Sequence, residues 1–315
     1  MLRKPTLALT ADRTKKAQEN HKSGDPADWF DSVWFRRRGI YAASFDFFVN
    51  WERETVCDEV WIKRISDTAD ILLQSKEELL RQIAACDGSE KSNSVYLFLK
   101  AQGLKEKYML FEDVKETKWE DGTGRVVMFD ISQYKKDALS ALNAQQLQEK
   151  IGGLRKKQVS IGNAGLIYST SALEGYLSKK PFFWPGDADT VLYNEANAAL
   201  AVLEFKKHTA RSRIPFEEQK LSNYLEKDIL KYKSLGLLRD RLETKLFVLY
   251  YPIPPDIDTV IIEEIQGAPD QLTAVRRLEL PVPLKGDEES QEAFAGRFIK
   301  EALNGQEGGQ LCLNG

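Results

Sequence analysis

Residues 181–209 read PFFWPGDADTVLYNEANAALAVLEFKKHT and hold two acids and a lysine in a pattern that can do chemistry. Asp189 stands on one short alternating stretch. Glu204 and Lys206 close the next stretch, with Phe205 between them. Side chains alternate along a strand, so Glu204 and Lys206 share one face and Phe205 takes the other. Two carboxylates with a strand-end carbonyl are hard oxygen ligands, which suit Mg²⁺ or Mn²⁺. A lysine beside them can hold a phosphate oxygen or orient an attacking water. That set is the equipment for metal-assisted phosphodiester hydrolysis.

The elements that must position these residues are two strands, over 187–193 and 198–206. Between them Asn194-Glu195-Ala196-Asn197 has turn chemistry, because Asn tolerates positive φ and hydrogen-bonds its own backbone. Antiparallel pairing around that turn brings Asp189 beside Glu204. The run AALAVLEFK is too apolar for an exposed strand, so its closing charges need a reason. The plain alternative is a chance Glu-x-Lys at the end of an ordinary strand.

An acid on one strand followed by Glu-x-Lys at the end of the next resembles the PD-(D/E)xK nuclease superfamily. Gly186-Asp187-Ala188-Asp189-Thr190-Val191 resembles its Gly-acid-x-Asp-hydrophobic variant, in which the second acid is the metal ligand. The resemblance therefore selects Asp189 over Asp187, and it spans about residues 169–253. It implies a restriction-endonuclease-like mixed sheet flanked by helices. It also implies an Mg²⁺- or Mn²⁺-dependent DNA endonuclease of restriction, antiviral defence or repair. Asp189 and Glu204 would hold the metal with the Phe205 carbonyl, and Lys206 would serve the phosphate or the water. Glu174, on a helix before the hairpin, and Asp187 are supporting candidates. Gln219 and Tyr224 resemble the Gln-xxx-Tyr element of recombination-type nucleases, one residue out of spacing, and Gln219, a third supporting candidate, would position the nucleic-acid backbone. Lys207, Arg211, Arg213 and Lys220 are candidates for the nucleic-acid backbone. The other reading is a non-catalytic module that binds nucleic acid or protein on a degenerate nuclease core.

Composition sets the frame. The chain has 315 residues, 42% hydrophobic and 30% charged, with net charge −3. These values fit a soluble globular protein of two domains. They argue against general affinity for nucleic acid. Charge is uneven: residues 204–247 hold 11 Lys/Arg against 7 Asp/Glu, whereas residues 255–315 hold 5 against 12. No apolar run suffices for a membrane span or a signal peptide, and three scattered cysteines fit a reducing cytoplasm.

Gly152-Gly153 suggests a boundary between an aromatic-rich α+β domain over 1–152 and the nuclease-like domain over 153–315. Alternation predicts strands over Tyr41–Val49 and Val56–Ile65, then helices over 67–86 and 92–103. Five of six tryptophans precede residue 120, which predicts a packed aromatic core; the functional alternative is a surface that stacks on bases or grips a partner. In the second half, Pro215 is expected to open a long helix that Gly236 ends, followed by strands over 244–253, 260–265 and 278–282. The expected partners are DNA and a protein met by the N-terminal domain or the acidic C-terminal quarter. Self-association is a further option, and no membrane is involved.

Overall fold

The computed structural model describes residues 1–66, 74–113, 119–120, 122, 124–130, 139–157, 165–180 and 186–305. In chain order the first elements are β1 (Leu2–Arg3), β2 (Ala8–Leu9), β3 (Asp12–Lys16), α1 (Pro26–Phe30) and α2 (Val33–Arg36). Then come β4 (Ile40–Asn50), β5 (Thr55–Ser66), α3 (Lys76–Asp87), α4 (Ser89–Ala101), β6 (Lys105–Glu112), β7 (Val126–Asp130), β8 (Leu139–Leu142) and α5 (Ala144–Arg155). The remainder is β9 (Tyr168–Ser169), α6 (Ala172–Leu177), β10 (Gly186–Asn194), β11 (Ala199–His208), α7 (Ile229–Arg241), β12 (Lys245–Pro252), β13 (Thr259–Gln266), β14 (Thr273–Pro281) and α8 (Glu288–Arg297). The architecture is mixed α/β, with mixed sheet flanked by helices.

The chain forms two interleaved units rather than two consecutive ones. Unit 1 takes residues 1–17 and 45–187, and unit 2 takes residues 18–44 and 188–315. Gly152 and Gly153 lie inside helix α5, whose capping box at Asn143 starts a regular turn that runs through them. They are therefore no linker, and the expected cut between 1–152 and 153–315 does not correspond to the compact units. The aromatic first half instead supplies both cores. Trp29, Phe30, Trp34 and Phe35 pack with Leu203, Phe247, Phe294 and Phe298 in unit 2. Trp61 and Trp119 pack with Phe48, Phe111, Leu147 and Leu173 in unit 1. Burial of these rings follows the packed-core expectation.

The units repeat one plan. In unit 1, β4–β5 is antiparallel, β5–β6 is parallel across helices α3 and α4, and β6–β7 and β7–β8 are antiparallel. In unit 2, β10–β11 is antiparallel, β11–β12 is parallel across α7, and β12–β13 and β13–β14 are antiparallel. A parallel pair needs such a crossover, whereas a hairpin needs only a turn. Both hairpin turns place a non-glycine residue at positive φ, Glu54 at 53° and Asn197 at 60°. In the second turn the Asn194 side chain also accepts the Ala198 N–H at 2.9 Å.

Two features of unit 2 depart from the pattern read from sequence. The segment from Pro215 is not one helix. It forms 3₁₀ turns at Phe216–Glu218 and Leu221–Asn223, and regular helix begins only at Ile229. Gly236 does not end that helix but lies within it, where a Cβ would stand 3.0 Å from the Pro269 Cα. Close approach, not helix termination, accounts for that glycine. Among the described residues, no helix is long and apolar enough to cross a membrane.

Candidate functional site

Strands β10 and β11 bring the three motif residues together in unit 2. The recorded pairing Thr190↔Leu203 means that one further step sets Asp189 opposite Glu204. Asp189 Oδ2 accepts the Phe205 N–H at 2.7 Å, which ties the acid to the Glu-x-Lys backbone. Glu204 is fully buried, as an apolar strand requires, and no backbone or hydroxyl donor among the described residues reaches its carboxylate oxygens. Its charge is met by ammonium groups instead. Lys231 Nζ lies 2.8 Å from Oε1 and Lys206 Nζ lies 3.3 Å from the same oxygen. Both contacts fall on Oε1, and Oε2 meets no donor among the described residues. A buried carboxylate with unused lone pairs is costly and is normally paired or bound to a cation.

Lys206 is held on every side. Its Nζ donates to Asp228 Oδ2 at 3.1 Å and stands 5.0 Å from the Tyr224 ring and 5.1 Å from the Tyr232 ring. Those rings attract the ammonium through their negative faces. The parallel register Lys206↔Tyr250 adds a third tyrosine, whose hydroxyl donates to Glu263 Oε2 at 2.9 Å. Burial, then the Glu204 charge, pushes the Tyr232 hydroxyl pKa far above the phenol value. Asp228, Lys231 and Tyr232 follow the i, i+3, i+4 spacing of a helix face, which is the sequence signal that marks them as one group.

The supporting candidates fall elsewhere. Glu174 and Asp187 belong to unit 1, where their charges act on Asp46 and Lys63. Lys63 Nζ pairs with Asp46 Oδ1 at 2.9 Å, and the surrounding acids hold its pKa up at about 12 against burial. Glu174 also accepts the Thr170 N–H at 2.5 Å while Ser171 caps α6, so it serves the helix start. Gln219 is buried, with Nε2 donating to the Ile214 carbonyl at 3.1 Å and Oε1 accepting from the Tyr224 hydroxyl. The pair meets despite its irregular spacing because no regular helix sets its angle. Its amide is committed to the protein, which corrects its assignment to a nucleic-acid backbone. Lys207 is likewise committed: Nζ donates to the Gln18 carbonyl at 2.8 Å, and burial lowers its pKa. Arg211, Arg213 and Lys220 are exposed, as backbone contacts require.

Among the described residues, no group of three or more His, Cys, Asp or Glu side chains is arranged to hold a metal ion. The donor chemistry at Glu204 nonetheless suits a hard cation, since its buried Oε2 meets no donor among the described residues. The chain matches no protein-family model, no curated protein and no solved structure.

Proposed function

We propose that unit 2 carries a metal-dependent phosphodiester hydrolase that cuts DNA. The observation that carries this reading is the buried carboxylate of Glu204, whose Oε2 meets no hydrogen-bond donor among the described residues, set beside Lys206 and opposite Asp189. Asp189 and Glu204 would hold Mg²⁺ or Mn²⁺ with the Phe205 carbonyl. A cation held there supplies Lewis-acid polarisation and a water of lowered pKa. Lys206, fixed by two tyrosine rings, presents a positive charge to phosphate oxygens. Arg211, Arg213 and Lys220 offer exposed charge for the backbone, which positions without reading sequence. Unit 1 would contribute target choice, and defence, restriction or repair is the role this chemistry suits.

The test is cleavage. Plasmid, linear duplex and single-stranded DNA are incubated with Mg²⁺, Mn²⁺ or EDTA, with wild type and Lys206→Ala in parallel. Metal-dependent cutting that the variant loses supports the reading. Equal cutting by both overturns the site assignment.

One observation favours a second reading, a non-catalytic nucleic-acid- or protein-binding module on a degenerate nuclease core. Lys231 already neutralises Glu204 at 2.8 Å. On that reading the ammonium is a permanent substitute for the metal, and a thermal-shift assay would show no response to Mg²⁺ or Mn²⁺.

A further inference from the structure

We infer that Lys231 is the resident counter-cation of Glu204, which a divalent cation must displace in order to bind there. The inference rests on the reading of Glu204 as a metal ligand. Two ammonium groups face one carboxylate oxygen, and they are not equivalent. Lys206 has an anchor of its own in Asp228 at 3.1 Å, lies between two aromatic rings, and its side chain is only 14% exposed. Lys231 is the nearer of the two to Oε1, and its side chain is 33% exposed. It stands in the first turn of α7, so its arm has a more open route to water than that of Lys206.

The charges support this assignment. Glu204, Asp228 and Asp189 supply three negative charges, and Lys206 and Lys231 supply two positive ones, so the site has room for further positive charge. A divalent cation on Glu204 would repel both ammonium groups, and the more exposed one yields. A lysine ammonium is strongly hydrated and keeps its rotamer freedom in water, so its release is favourable to the arm. The freed ammonium stays tethered within about 6 Å of its helix, the reach of a four-carbon stem. A phosphate oxygen of a bound nucleic-acid backbone is its natural next partner. Phosphate that draws Lys231 outward would uncover Glu204, so metal and backbone binding would strengthen one another reciprocally.

The experiment uses the full chain without nucleic acid and titrates Mn²⁺ into wild type, Lys231→Gln, Lys231→Arg and Glu204→Gln by calorimetry, with melting curves in parallel. Lys231→Gln is expected to bind Mn²⁺ about tenfold tighter than wild type. It should melt lower than wild type without metal and gain more from saturating Mn²⁺. Lys231→Arg, which keeps a cation, should stay near the wild-type affinity, and Glu204→Gln should lose the binding. If Lys231→Gln and wild type bind equally through Glu204, the Lys231 inference is overturned while the metal reading stands. If Lys231→Arg binds as tightly as Lys231→Gln, the inference is likewise overturned. If neither wild type nor Lys231→Gln binds Mn²⁺, both are overturned.

Discussion

Asp189 Oδ2 accepts the Phe205 backbone N–H at 2.7 Å, so the first acid of the motif is bonded to the middle of the second. A hydrogen bond to a charged acceptor contributes about 1.5–3 kcal/mol. The carboxylate therefore has a structural duty as well as the proposed chemical one, and two substitutions separate them. Asparagine at 189 can still accept the N–H through its side-chain oxygen but carries no charge. Asp189→Asn should keep most of the stability, whereas Asp189→Ala should lose about 1.5–3 kcal/mol in urea denaturation. Both should lower DNA cleavage by at least a hundredfold, on the scale of removing one preorganised electrostatic group. Cleavage that survives in Asp189→Asn would confine Asp189 to the strand clamp.

Tyr232 is buried, and its hydroxyl has no hydrogen-bond partner among the described residues. Its ring supports Lys206, but its oxygen is desolvated without compensation. Tyr232→Phe keeps the ring and removes the orphaned group, so it should be neutral or stabilising by up to about 1 kcal/mol. Tyr232→Ala empties the ring volume and should cost about 3–5 kcal/mol. A clear loss of stability in Tyr232→Phe would show that the hydroxyl does have a partner in solution.

Glu263 is a buried acid on β13 that nothing in the local sequence singles out. Its Oε2 accepts the Leu221 N–H at 2.7 Å and the Tyr250 hydroxyl at 2.9 Å. It thus ties the 3₁₀ turns ahead of α7 to the sheet beside Lys206. Glu263→Ala orphans two donors, and each buried unsatisfied group costs about 1–3 kcal/mol. A destabilisation of roughly 2–4 kcal/mol is expected, with faster amide exchange concentrated over residues 221–232. Uniform change across the chain would argue against a local tie.

The hairpin was legible because its signals are local. Strand alternation, the asparagine turn and the apolar run of β11 are all fixed within a few residues. The Asp189–Glu204–Lys206 register follows from them by simple counting. The interleaved units were not legible, since nothing local tells Trp29 and Phe30 to join a core with Leu203 and Phe298. The segment after Pro215 misled for a different reason. Its apolar residues fit a helical period, yet the Glu263 carboxylate captures the Leu221 N–H and fixes a 3₁₀ turn instead. Glu174 and Asp187 matched a motif by type, while tertiary placement assigned them to Asp46 and Lys63.

Glu106 gives unit 1 a pH dependence of its own. It lies on β6, buried, with neither carboxylate oxygen hydrogen-bonded among the described residues. Burial pushes its pKa up to about 8, opposed by Arg64 and reinforced by Asp87 and Asp130. An unfolded glutamate titrates near 4.3, so the folded chain holds a proton that the unfolded chain has released across this interval. The associated stability is fully present below about pH 4 and is lost as pH rises towards 8. Asp46 is also raised by burial, opposed by Lys63 at 2.9 Å, and acts in the same direction. Stability should therefore fall between pH 5 and pH 8, by at most about 1.4 kcal/mol per pH unit from each group. Glu106→Gln stays neutral throughout and should flatten part of that fall, leaving the share due to Asp46. Denaturation midpoints of wild type and Glu106→Gln at pH 5, 6, 7 and 8 give the two slopes. Identical slopes would show that Glu106 is ionised and paired in the folded chain.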